Sequence, residues 1–266
     1  MGPTASGKTK IAEKLAQEFN GEIINADSRQ VYIGMDIGTN KSSAHLVDIV
    51  NPGQEFTVAQ YKKLAIKTIK KIHNRGKTPF LVGGTGLYIQ AVIDNLQIPK
   101  IKPNKFLRQK LENQSLEQLF NTLKKLDHQT TETIDAKNKR RLIRALEVCL
   151  SGQKFSQKNK SKPLFDILQI GIDVQKEKLY QRINKRVDEM IEQGLEDEVK
   201  SLGDNIPETI GYQEFKHEKN LAKIANLIKL HTRQYAKRQM TWFKRDKRIN
   251  WVKSYEEAKP LLTKFL

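Results

Sequence analysis

A single cysteine, Cys149, is all the thiol this 266-residue chain carries. An internal disulfide framework and a multi-cysteine metal site are therefore excluded, and the usage agrees with a reducing compartment. No apolar run approaches the roughly 18–20 residues that a membrane span needs, and the first residues lack the apolar core of a signal peptide. The expectation is a cytoplasmic protein with no membrane partner. With only 15 glycines and 8 prolines, the composition excludes collagen-like chains and wholesale disorder. Acidic side chains are the other shortage: 30 Asp and Glu stand against 48 Lys and Arg, a net charge of +18. Such a surplus fits a polyanion, an acidic membrane surface, or plainly solvated helix faces.

The surplus is unevenly spread. Residues 1–98 carry a net +4, residues 99–165 have 16 basic against 6 acidic side chains, and residues 166–215 reverse to −6. Residues 216–248 return to +9. Alternation of this kind suits a polyanion gripped by two separate segments better than uniform solubilisation.

The first nine residues match G-x-x-x-x-G-K-[ST] from Gly2 to Thr9: Gly2, Pro3, Thr4, Ala5, Ser6, Gly7, Lys8 and Thr9. In a P-loop the glycines let backbone N–H groups converge on phosphate oxygens, the lysine adds a point charge, and the hydroxyl of Thr9 can ligand a phosphate-bound Mg²⁺. The pattern implies a diphosphate or triphosphate site, so nucleotide (ATP) binding is among its readings. A P-loop hangs from a buried strand, and Met1 is the single residue before Gly2. That strand belongs either to sequence before Met1 or to a neighbouring element in its place.

A helix pattern follows the P-loop, with Ile11, Leu15, Ala16 and Phe19 at helical spacing; Glu22 to Asp27 then reads as a short buried strand ending in a carboxylate. Residues 34–56 read as an irregular loop, Val58 to His73 as an amphipathic helix, and Pro79 to Val82 as a strand running into Gly83-Gly84-Thr85-Gly86. Strand, loop and helix in alternation predict an α/β fold, a P-loop NTPase-like parallel sheet flanked by helices. After Pro99 the pattern turns helical and strongly basic, then resumes with a strand-like run from Phe165 to Val174, helices at 176–201 and 218–246, and a strand at Arg248–Val252. The expected organisation is a catalytic core of 1–98 and 165–266 interrupted by a mainly helical insertion at 99–164.

NTP hydrolases usually carry a second apolar strand that ends in an acid. Here Phe80-Leu81-Val82 runs into glycine, which leaves Asp27 as the best acid beside the P-loop, to bind Mg²⁺ or accept a proton, or simply to cap a turn. In the insertion, Leu142, Ile143, Leu146 and Cys149 form an apolar stripe, and Lys137, Arg141 and Arg144 share another face with Arg140 beside them. Arginines so clustered suit phosphate recognition. In the late helix, Leu221, Ile228, Tyr235 and Trp242 recur every seven residues and read as core, while Lys229, Arg233, Lys237 and Lys244 occupy a cationic arc.

With these residues assembled, the chain resembles the tRNA dimethylallyltransferase (isopentenyltransferase) family. The resemblance rests on Gly2 to Thr9, Ala26-Asp-Ser-Arg-Gln-Val-Tyr32, Met35-Asp-Ile-Gly-Thr39, Leu81-Val-Gly-Gly-Thr85, Arg144-Ala-Leu-Glu-Val148, Arg182-Ile-Asn-Lys-Arg-Val187, Ile210-Gly-Tyr212 and Thr232-Arg-Gln-Tyr-Ala-Lys-Arg-Gln239, in family order. It implies transfer of the dimethylallyl group from dimethylallyl diphosphate to N6 of the adenosine just 3′ of the anticodon, with Mg²⁺ and release of pyrophosphate. By the same resemblance, Thr4 to Thr9 cradle a departing diphosphate, Asp27 is the general base, and Arg186 stabilises the diphosphate. Asp27, Ser28, Arg29, Gln30, Thr85, Arg108 and the segment Arg140, Arg141, Leu142, Ile143, Arg144 match positions that contact the tRNA anticodon stem-loop, and a monomer is implied. The stretch from Asn40 to His45 is shorter than the family usually carries. Glu208 stands where some members have an arginine, so that contact is not carried over. Two other readings keep the P-loop: a kinase of a small acceptor using ATP, and an RNA-binding protein without catalysis.

Overall fold

The computed structural model describes residues 1–99, 101–156 and 161–266. In chain order the elements are α1 (Lys8–Glu18), β1 (Gly21–Asn25), α2 (Val58–His73), β2 (Thr78–Val82), α3 (Gly86–Ile93), α4 (Lys105–Glu112), α5 (Leu116–Leu126), α6 (His128–Thr131), α7 (Lys139–Leu150), β3 (Ile170–Ile172), α8 (Lys176–Glu192), α9 (Leu195–Leu202), α10 (Leu221–Phe243), β4 (Asn250–Val252) and α11 (Tyr255–Phe265). The chain divides into two compact units, Met1–Ile93 with Leu164–Leu266, and Asp94–Pro163.

The first unit is α/β. β1 and β2 pair in parallel from Gly21↔Thr78 to Asn25↔Val82, and β3 pairs in parallel with β4. Among the described residues the two ladders remain separate two-stranded pairs. Met1 lies along β3: its ammonium donates to the Ile170 carbonyl at 2.7 Å and its carbonyl accepts from the Ile172 N–H at 3.0 Å.

α2 shows how local chemistry sets an element here. Thr57 caps it, accepting from the Gln60 N–H while the Gln60 side chain accepts from the Thr57 N–H, so two orphan donors are satisfied. Its buried stripe of Tyr61, Ala65, Ile69 and Ile72 follows the helical period and faces a core that includes Ile24, Ile89 and Val92. The Tyr61 ring stacks on Tyr88 with centroids 3.9 Å apart, and its hydroxyl donates to the Asn25 carbonyl at 2.8 Å. That bond anchors the end of β1, from which Asp27 projects.

Three stretches differ from the sequence expectation. The run from Phe165 to Val174 contributes only Ile170–Ile172 as strand, because its ladder partner β4 is itself three residues long. The helix expected over 176–201 is broken at Gly194, whose left-handed backbone (φ 90°) ends α8 and starts α9 in a new direction. α11 was not anticipated: Ser254 caps it by accepting from the Glu257 N–H, and Pro260 sits inside it.

The second unit is helical. α4, α5 and α7 enclose a core of Leu111, Leu119, Leu123, Leu142, Ile143, Ala145 and Leu146. Asn104, Ser115, Asp127 and Asn138 each cap a following helix through a side-chain oxygen. The polar stretch expected at 151–163 includes positions 157–160, which lie outside the described residues.

Candidate active site

The P-loop is pre-shaped by contacts from elements remote in sequence. Ala5 (φ 58°) and Gly7 (φ 88°) both take left-handed backbones, a conformation that costs a residue with a Cβ about 1–2 kcal/mol. Three side chains hold it. Gln239 of α10 accepts from the Thr4 N–H at 2.8 Å and donates to the Gly84 carbonyl at 2.9 Å. Arg186 of α8 donates to Thr4 Oγ1 at 2.9 Å, and Arg182, one turn earlier, donates to the Ser6 carbonyl at 3.0 Å. Lys8 folds back, its Nζ donating to the Pro3 carbonyl at 3.3 Å. α1 starts at Lys8, so the N–H groups of its first turn are open to an anion. Ser6 Oγ is buried with no hydrogen-bond partner. A phosphate oxygen would satisfy it.

The electrostatics agree. Burial pushes the Lys8 ammonium down to about 8, with Asp27 opposing that shift and Arg186 adding to it. Burial also lowers Arg186, again with Asp27 opposing. Two desolvated cations and one carboxylate thus share one environment, which a bound polyanion would relieve.

Asp27 lies two residues beyond β1. Its N–H donates to Asn25 Oδ1 at 3.0 Å and its own Oδ1 accepts from the Arg29 N–H at 2.9 Å, a local turn that leaves the second carboxylate oxygen for other partners. The loop after β2 closes against it. Gly83 has no room for a Cβ, which would come within 2.1 Å of the Ala26 carbonyl oxygen. The Thr85 N–H donates to that same oxygen, and Thr85 Oγ1 accepts from the Ser28 N–H at 2.9 Å. Asp27, Ser28 and Thr85 are therefore brought together, with Gln30 held beside them by its bonds to the carbonyls of Thr39 and Asn40. Thr9, the second residue of α1, is half-buried. No group of three His, Cys, Asp or Glu that could hold a metal occurs among the described residues. A donor set of one hydroxyl and a nearby carboxylate fits Mg²⁺, which is held largely through substrate phosphates and water.

Tyr235 corrects the expected heptad of the late helix. Of that heptad Ile228 is buried and Trp242 packs half-buried on the core, while Leu221 is exposed and Tyr235 half-buried; α10 also buries Ile224, Ala236, Gln239 and Phe243. The Tyr235 hydroxyl lies against Thr85 and Gln239, and burial with Asp27 nearby pushes it up to about 12. Arg233 of the cationic arc packs on the Tyr180 ring and donates to Asn184, and Lys229 pairs with Asp188. No spacing rule gives Gln239, Tyr235 or Arg182 a site role; their signal is their membership of Thr232–Gln239 and Arg182–Val187.

In the helical unit, Arg108 and Arg144 converge on Glu147. Arg108 binds it with two parallel bonds of 2.8 Å each, and Arg144 Nη1 donates at 3.0 Å. Arg144 also donates to the Ile101 carbonyl, and the Asn104 N–H donates to Glu147. Burial would raise the Glu147 carboxyl, but the bonds from Arg108, Asn104 and Arg144 outweigh it and hold the group down to about 2. Arg140 and Arg141 are exposed on α7, whereas the side chains of Leu142 and Ile143 lie in the core. Lys137 precedes the helix, because Asn138 caps it.

Comparison with known proteins settles the kinship. A family model described as IPP transferase matches residues 30–246. The chain belongs to the IPP transferase family. Family membership extends through curated relatives: a tRNA dimethylallyltransferase of Halothermothrix orenii is 42% identical over 302 residues, covering 100% of this chain and 92% of the relative. Among solved members of the family, the tRNA isopentenylpyrophosphate transferase of Bacillus halodurans is 37% identical with a TM-score of 0.72, covering 99% of this chain and 93% of the other. A eukaryotic dimethylallyltransferase acting on tRNA superposes with a TM-score of 0.76 at 31% identity, covering 91% of this chain and 68% of the other. The P-loop-like α/β core described above is the fold this chain shares with them. No helix among the described residues is long and apolar enough to cross a membrane.

Proposed function

We infer that this chain transfers the dimethylallyl group of dimethylallyl diphosphate to N6 of the adenosine just 3′ of the anticodon in tRNA, releasing pyrophosphate. One observation carries the reading: Lys8 and Arg186 are desolvated beside the P-loop, and Asp27 is the carboxylate that acts on both. Relatives over the whole chain named for this transfer support it.

The P-loop N–H groups and Lys8 hold the diphosphate, and Arg186 stabilises charge on it as the C–O bond breaks and the electron pair departs with pyrophosphate. The N6 nitrogen forms the new bond to the allylic carbon and gives its proton to Asp27. The hydroxyl of Thr9 would hold Mg²⁺, which would supply charge neutralisation for the departing pyrophosphate. The target base must leave its stack to reach such a site, so an unpaired loop nucleotide is the fitting acceptor. The exposed Arg140 and Arg141 of the helical unit, with the Asp27–Gln30 segment and Thr85, supply the tRNA contacts in this reading.

The test uses dimethylallyl diphosphate labelled in the dimethylallyl group and an unmodified anticodon stem-loop. Label enters the RNA, fails to enter when the adenosine is replaced by guanosine, and enters at least ~100-fold more slowly with Asp27→Ala while RNA affinity is retained. Phosphate transfer from ATP to a small acceptor, independent of RNA, would refute the reading.

A further inference from the structure

Two motifs of the first unit, Met35–Thr39 and Ile210–Tyr212, meet on the carboxylate of Glu198 in α9. Its Oε2 accepts from the N–H groups of Asp36 and Ile37 at 3.0 and 2.7 Å, and its Oε1 accepts from the Gly38 N–H at 3.1 Å. Three consecutive N–H groups on one carboxylate make the kind of concavity that binds free anions elsewhere, here filled by the protein's own side chain. Oε1 also accepts from the Tyr212 hydroxyl at 2.6 Å. Tyr212 is fully buried, and its ring lies so close to Gly38 that a Cβ there would come within 2.4 Å of it.

The turn at 36–38 faces the reaction site through its far end. Thr39 Oγ1 donates back to the Met35 carbonyl at 2.5 Å, and the carbonyls of Thr39 and Asn40 accept from the Gln30 side chain at 3.1 and 3.0 Å. Gln30 closes the segment that begins with Asp27. On the other side, Tyr212, Met35 and Val187 share a core with Ala5 of the P-loop and Ile37 of the turn packed against it, and Val187 neighbours Arg186. A single carboxylate thus ties the placement of the Asp27 segment to the helix that carries Arg186.

We propose that Glu198 is a positioning residue for the transfer: its carboxylate fixes the 36–38 turn, which through Gln30 holds Asp27 in register with the acceptor base. The proposal rests on the reading of function above. Glu198→Gln keeps the shape but loses the charge and turns an amide N–H₂ toward backbone donors. Misplacing a catalytic group by about 1 Å can cost on the order of 100-fold, so kcat for dimethylallyl transfer falls about 10- to 100-fold. The KM for dimethylallyl diphosphate stays within about twofold, because the P-loop contacts are untouched. Glu198→Asp, one methylene short with the charge kept, recovers part of the loss.

The deciding measurement is a double-variant cycle with Gln30→Ala, read as kcat alongside the melting temperature of each variant. If Glu198 acts through Gln30, the double variant is about as slow as the slower single variant. A folded Glu198→Gln enzyme with wild-type kcat overturns the proposal, as do losses that multiply in the double variant. If Glu198→Gln does not fold, Glu198→Asp takes its place in the cycle under the same criterion. A wild-type chain that transfers no label overturns the reading of function instead, and so is told apart from a failure of Glu198.

Discussion

Two pairs of arginines, one in each unit, sit in similar motif surroundings and do different work. Arg182 and Arg186 donate to neutral acceptors of the P-loop, the Ser6 carbonyl and the Thr4 hydroxyl, and neither lies within ion-pair distance of a carboxylate among the described residues. Arg108 and Arg144 point at the buried Glu147 and share its single negative charge. Of the first pair, Arg182 is exposed, while Arg186 is desolvated with Asp27 as its near carboxylate, so a bound anion relieves Arg186 above all. The comparison teaches that the nearest carboxylate, more than the clustering of arginines, separates a ligand-binding site from an internal clamp. On this account the cation surplus of the helical unit reaches RNA through Arg140, Arg141 and the exposed lysines, with Arg108 and Arg144 shaping the scaffold that presents them.

The sharpest way to break the comparison is to remove one arginine of the first pair. Arg186→Ala lowers kcat by about 100- to 1,000-fold, the usual loss for one donor to a charge-developing oxygen, with a melting temperature close to wild type. Loss of stability in step with activity would make Arg186 a clamp as well. Second in size is Glu147→Ala. Removing one partner of a buried ion pair costs about 3–5 kcal/mol; Arg108 and Arg144 keep side-chain exposures of 40% and 29%, so water can receive them and the lower end is expected. Denaturant unfolding and proteolysis within 94–163 measure it. The pH dependence follows the same group. Its folded pKa is depressed to about 2, so its stabilisation is present above the ordinary carboxylate range and fades as pH falls from about 4.5 towards 2. Glu147→Ala lacks that acid limb. Smallest is Arg141→Ala, which weakens RNA binding a few-fold and reduces the salt slope of log K by about 1, with stability unchanged.

Much of this was legible from residue order, where the physics is local. The P-loop is a spacing of glycines and a lysine, and α2 announces itself by Thr57 and Gln60 followed by apolar residues at helical period. The place of Asp27 follows from an apolar strand that ends just before it. What could not be read is contact between distant positions. Gln239 bonds to Thr4 across 235 residues; helical spacing puts that glutamine on the buried stripe with Ala236 and Phe243, but does not say that the P-loop lies against it. Tyr235 fits a heptad of core residues by spacing alone, yet its hydroxyl faces Thr85. Glu147 stands in Arg144-Ala-Leu-Glu-Val148, where helical spacing gives its contact with Arg144; its other partner, Arg108, lies 39 residues earlier on α4, so the two-arginine clamp does not follow from spacing. Gly194 stands between two charged helical patterns, and its left-handed backbone separates α8 from α9.

The most direct test of the central claim is a titration of the whole protein with inorganic pyrophosphate and Mg²⁺, by calorimetry, on wild type, Arg186→Ala and Glu147→Ala. The account predicts affinity at least about tenfold weaker for Arg186→Ala, in line with loss of a charge-assisted bond, and within about twofold of wild type for Glu147→Ala. Equal weakening in both variants, or none in Arg186→Ala, would contradict it.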